Sequence, residues 1–147
     1  MNASTALLVV IALGLFIAIW IAATWLVSAL GGWRALAERY RSDLPFTGQT
    51  WRMRSGRMGG VVRYNGLLTV GVNQAGLHLA VMPLFRPGHP PLFIPWPDVT
   101  VESGRRFFRT FVIFRFRQMP NVSLWLYEKF GRQVLETARQ PMTMHAP

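Results

Sequence analysis

"VSLWLYEKFGRQVLETARQ", residues 122–140, changes character halfway along. Its first six residues have the β-branched and aromatic content of a strand. From Glu128 onward, Phe130, Val134, Leu135 and Ala138 recur at helical spacing, so the segment ends in an amphipathic helix over 128–140. "PMTMHAP" (141–147) does not continue it and reads as a loose tail. The question is then what precedes this strand-to-helix switch.

Moving toward the N-terminus, the period is that of strands. "TFVIFRF" (110–116), "VTVES" (99–103) and "LFIPW" (92–96) are strand candidates, with Pro95 marking an end or an edge. "LLTVGV" (67–72) and "LHLAVM" (77–82) flank "NQAG", a turn with Gly76 placed for a positive φ. "WRMR" (51–54) opens the set and "GGVVRY" (59–64) extends its first strand. Residues 46–140 therefore form one mainly-β domain of about seven strands with a C-terminal helix.

The first third is different. No charged residue occurs between Met1 and Trp33, and Ala6 to Leu30 is an unbroken apolar run. About 20 helical residues cross a hydrocarbon layer of about 30 Å, so residues 1–32 predict a transmembrane anchor. "MNASTA" lacks the basic start of a cleaved signal peptide, and the apolar core is too long for one. Trp20 and Trp25 fall in the second half of the run, and Trp33 fits an aromatic belt. Gly14, Ala22, Ala23 and Ser28 are small enough for close helix approach. Basic residues follow the run and none precedes it, which predicts the N-terminus outside and the C-terminal domain in the cytoplasm.

Between anchor and domain lies "GGWRALAERYRSDLP", residues 31–45. Trp33, Leu36 or Ala37, and Tyr40 share a helical face. Residues 33–45 read as a juxtamembrane amphipathic helix and linker. It either touches headgroups through Arg34, Arg39 and Arg41 or packs on the domain as a rigid spacer.

Seven short strands and one terminal helix are the order of a pleckstrin-homology-like (PH-like) domain, a curved, partly open barrel. A small OB-like barrel is the structural rival. The stretch 55–103, with "SGRMGG…LTVGVNQAGLHL…LFRPGHPPLFIPW", resembles a bacterial family of small membrane-anchored proteins. "LFIPWPDVTVES" is similar to a strand–turn–strand of bacterial PH-like and GRAM-like domains. The resemblance implies the fold and a membrane anchor, and no activity.

Composition narrows the function. The chain has 147 residues, a net charge of +10 and a mean hydropathy of +0.24. From Phe46 on there are 13 basic and 4 acidic residues. That balance favours anionic partners. The hydropathy and the anchor count against nucleic acid. With no cysteine there is no thiol chemistry, and neither the six carboxylates nor His78, His89 and His145 have the spacing of a catalytic or metal site. The expectation is no enzyme and no cofactor. "SGRMGG" (55–60) is either a phosphate nest beside Arg54 and Arg57 or a turn. "LFRPGHPPLFIPW" (84–96), with Phe85, Arg86 and His89, either docks a partner or the membrane interface, or covers a barrel edge.

"RRFFRTFVIFRFR" (105–117) reads as one strand. By parity, Phe108, Val112, Phe114 and Phe116 face the core, while Arg109, Arg115 and Arg117 face out as contacts for lipid or a partner. The functional expectation is a single-pass, PH-like interaction module that binds anionic headgroups or a membrane-protein partner. The alternative is an accessory subunit of a larger integral-membrane complex.

Overall fold

The computed structural model describes residues 2–59 and 62–139. The tail 141–147 and Gly60 of "SGRMGG" lie outside these.

Helix α1 (Ala3–Gly31) is capped by Asn2, whose side chain accepts a hydrogen bond from the Thr5 amide at 2.8 Å. Its 29 residues make it long and apolar enough to cross a membrane. At about 1.5 Å per residue it measures about 43 Å, more than a hydrocarbon layer requires. Most of it is exposed; Thr24, Ser28 and Gly31, on one face of its last two turns, are buried.

The chain then turns at Gly32 into helix α2 (Trp33–Tyr40). Gly32 has φ +87°, and a Cβ there would lie 2.6 Å from a Val122 methyl, so only glycine fits. Trp33 and Leu36 are 0% exposed and belong to the same buried cluster as the barrel strands. The 33–45 segment thus supplies core to the domain as well as joining it to α1.

The sheet has seven antiparallel strands: β1 (Gln49–Met58), β2 (Val62–Val72), β3 (Gly76–Val81), β4 (Leu92–Pro95), β5 (Val99–Arg106), β6 (Arg109–Phe116) and β7 (Met119–Tyr127). Their order is β4-β3-β2-β1-β7-β6-β5. Two meanders are therefore joined through β1 and β7, leaving β4 and β5 as the edges. Helix α3 (Glu128–Arg139) follows β7 and buries Phe130 and Val134. This is the expected layout: one N-terminal apolar helix, seven strands and a C-terminal helix.

Two local expectations change. First, β1 is one strand through residue 58, with register shifts between Trp51 and Arg54 and between Arg54 and Gly56. Met53 at the first shift has φ +56°, so the extra residue there is taken up as a bulge. "GGVVRY" does not extend β1; its described residues from Val62 on open β2. Second, 105–117 is two strands. β5 ends at Arg106, β6 begins at Arg109, and Phe107 and Phe108 form the two-residue turn between them. Both have positive φ, +53° and +61°, the signature of a type I′ turn. Phe108 is 94% exposed, not in the core. The even-numbered residues Val112, Phe114 and Phe116 are buried as expected, and Phe111 and Ile113 are buried as well, because the other face of β6 is also covered. On that face Phe111 meets the rings of Trp125 and Tyr127.

The register fixes which loops share an end. Met58 pairs with Leu124 and Gly56 with Leu126, while Phe111 pairs with Tyr127. The end of β1 therefore lies with the start of β7, and the Phe107–Phe108 turn lies at the opposite end. Gly31 and Gly32 approach Val62 and Val122, so α1 joins the barrel at the first of these ends.

Candidate functional site

The described part of "SGRMGG" is a strand end and a turn. Residues 55–58 belong to β1, and Gly59, at φ +66°, lies so close to the Gly31 carbonyl that an added Cβ would come within 3.0 Å of its oxygen. Gly59 therefore packs on the end of α1.

The segment Pro83–Pro91 is built against α1 and α2. The Trp20 indole N–H donates to the Leu84 carbonyl at 2.9 Å, and the Trp20 ring meets that of Phe85 at 5.0 Å. The Ser28 hydroxyl donates to the Gly88 carbonyl. The Trp33 indole N–H donates to Pro90 O at 2.9 Å. Beyond α2, the Ser42 amide donates to Pro91 O at 3.0 Å and Arg41 bridges to Leu92, so the linker covers the free edge of β4. At the C-terminal end of α2, the Tyr40 hydroxyl donates to Asp98 at 3.0 Å and accepts the Gln118 amide at 3.2 Å. The proline-rich loop is thus a bracket between α1 and the barrel.

His89 sits inside this bracket at 2% exposure. A carbonyl only accepts, so the 3.1 Å contact to Pro87 O places the proton on Nδ1. Nε2 then accepts from the Tyr64 hydroxyl at 2.8 Å. Burial lowers the His89 pKa below its ordinary value and raises that of Tyr64, so both are neutral at pH 7. Of the three loop residues expected to touch a partner, His89 is turned inward, Phe85 rests on Trp20, and Arg86 is exposed.

Beside the bracket runs an open groove of about 930 Å³ between α2, the linker and the outer face of β1–β3. Arg34, Arg41, Arg52 and Arg86 line it, against Glu38 and Asp43. Asp43 is already engaged by Arg41 at 3.3 Å. Trp25 of α1 also lines the groove, and the Arg34 guanidinium lies over its ring at 5.2 Å. Deeper in, His78 stacks on Phe46 at 4.6 Å, and its burial lowers its pKa. The fold thus brings together Arg34, Arg41 and Arg86 from the expected set. It adds Arg52 and Trp25, which no local pattern singled out.

The other expected arginines are dispersed. Arg39 is exposed on α2 outside the groove, and Arg117 is exposed beside the β6–β7 turn, at the anchor end. Arg54 lies over Phe130 at 4.7 Å, and Arg57 over Phe107 at 5.0 Å. Arg109 lies over Tyr127 at 5.2 Å, and Arg115 pairs with Glu102 at 2.5 Å. These rings and guanidinium groups are used within the chain. Compared with protein-family models, curated proteins and solved structures, the chain matches none.

Proposed function

We propose that the protein is a single-pass, non-catalytic membrane module whose PH-like domain holds an anionic lipid headgroup at the cytoplasmic face. The observation that carries this reading is the groove. Four arginines from three separated segments line it together with a tryptophan of the apolar helix, against two carboxylates. Guanidinium groups suit phosphate oxygens through bidentate hydrogen bonds, and tryptophan suits the headgroup layer. The orientation follows from the basic residues being confined to the C-terminal side of the helix. The resemblance to small bacterial membrane-anchored proteins supports the anchor in this reading and says nothing of the ligand.

The test is the lipid that co-purifies with the full chain in mild detergent. Each arginine near an anionic surface contributes roughly 1 kcal/mol, so Arg34→Gln, Arg41→Gln and Arg86→Gln together should weaken retention on the order of 100-fold. Native mass spectrometry of wild type and triple variant against phosphatidylglycerol and phosphatidylcholine measures it. Equal retention of both lipids by the wild type sinks the proposal.

A second reading, a subunit that docks a membrane-protein partner, is favoured by the exposed Phe107–Phe108 turn at the barrel end away from the anchor. Gentle extraction that yields a stoichiometric complex, lost in a Phe108→Ser variant, would support it over lipid binding.

A further inference from the structure

The bracket contains a short 3₁₀ turn, Pro83–Phe85, whose middle residue points away from everything it is built on. Leu84 is 69% exposed, although its carbonyl is held by Trp20. Where Trp20 lies in a bilayer follows from counting. A hydrocarbon layer takes up about 20 helical residues. Counted from the first helical residue, Ala3, such a span ends near Ala22; counted from the start of the apolar run, Ala6, it ends near Trp25. Trp20 lies on the membrane side of both ends. Whatever is bonded to Trp20 shares that depth.

We propose that the Pro83–Phe85 turn enters the membrane interface alongside the helix, with Leu84 inserted among the acyl chains nearest the headgroups. This rests on α1 being a membrane span. The chemistry of the turn suits the position. Backbone groups in a low-dielectric layer need partners within the protein. Pro83 has no N–H to satisfy. The Phe85 amide donates to Met82 O at 2.9 Å, the Arg86 amide to Pro83 O at 3.2 Å, and Leu84 O accepts from Trp20. Pro87, Pro90 and Pro91 remove three more donors from the same loop. Arg86, exposed directly after the turn, is placed to reach the phosphate layer while the leucine before it stays below.

The chain has no cysteine, so single cysteines can be introduced without competing thiols. Leu84→Cys, Phe16→Cys on the apolar helix and Leu44→Cys on the linker replace exposed side chains, so none removes core packing. Each is spin-labelled in the full-length protein, reconstituted in phosphatidylglycerol–phosphatidylcholine vesicles. Power-saturation electron paramagnetic resonance then compares collisions with oxygen, which partitions into lipid, and with a water-soluble nickel chelate. The expected result is a Leu84 label shielded from nickel several-fold relative to Leu44 and shallower than Phe16. A Leu84 label as accessible to nickel as Leu44, with Phe16 in hydrocarbon, overturns the insertion and leaves the anchor standing. A Phe16 label in water overturns both.

Discussion

Two turns of this protein present apolar side chains to the outside, and they are built in opposite ways. Pro83–Phe85 is buttressed: Trp20, Ser28 and Trp33 reach into its loop from two helices, and its φ values are ordinary. Phe107–Phe108 is held by its own hairpin and, among the described residues, by guanidinium groups over Phe107. Both of its residues occupy the left-handed region, which is costly for a bulky side chain. Prolines cut the entropy lost on ordering the first turn. In the second, residues stand where asparagine and glycine would be easier. The first is held from outside by two helices, and the second holds two rings exposed against local preference.

The largest expected effect comes from undoing the buttress. Trp33→Ala removes a fully buried ring and its bond to Pro90, and should cost about 3–5 kcal/mol. Chemical denaturation of the full chain in detergent measures this; a loss below about 1 kcal/mol would mean that α2 is not part of the barrel core. The reverse change is expected at the other turn. Phe107→Asn with Phe108→Gly relieves two left-handed residues, each costing of order 1–3 kcal/mol, so the double variant should unfold at a higher denaturant midpoint even without the Phe107 ring contacts. A lower midpoint would show that the exposed rings hold the hairpin together.

A gentler lever is pH. His89 has its pKa lowered by burial, so the unfolded chain binds a proton where the folded one resists it. Stability from this residue is fully present above the unfolded pKa of about 6.5 and is lost as pH falls below it. Thermal unfolding between pH 7.5 and 5 should show this decline in the wild type and less of it in His89→Gln. Parallel curves would assign the decline to other groups. The smallest effect is expected at Arg115→Gln, whose ion pair with Glu102 is half exposed, at less than about 1 kcal/mol by the same denaturation measurement.

Much of the architecture was legible because its signals are local. A run without charge marks α1, "NQAG" between two alternating segments marks the β2–β3 hairpin, and the change of period at Glu128 marks α3. The β5–β6 turn was not legible, because Phe-Phe carries none of the glycine, asparagine or proline chemistry that announces a turn. Trp33, Leu36 and Tyr40 disclosed an apolar face, but nothing in their spacing said that the face belongs to the barrel core. The groove was legible only in pieces. Arg34 and Arg41 stand out beside the anchor and Arg86 in a distinctive loop, but Arg52 and Trp25 join them only through pairings dozens of residues apart.

The tight passage at Gly31 and Gly32, wedged between Val62, Gly59 and Val122, leaves no slack between helix and barrel. A helix and barrel packed this closely, and bonded to each other through Trp20 and Ser28, would move as a single lever. From the pivot side of β6 to its far turn, Phe116 to Arg109, the strand extends about 24 Å at about 3.4 Å per residue. If the helix leans by 10° to suit a thinner bilayer, that lever carries the two phenylalanines sideways by about 4 Å.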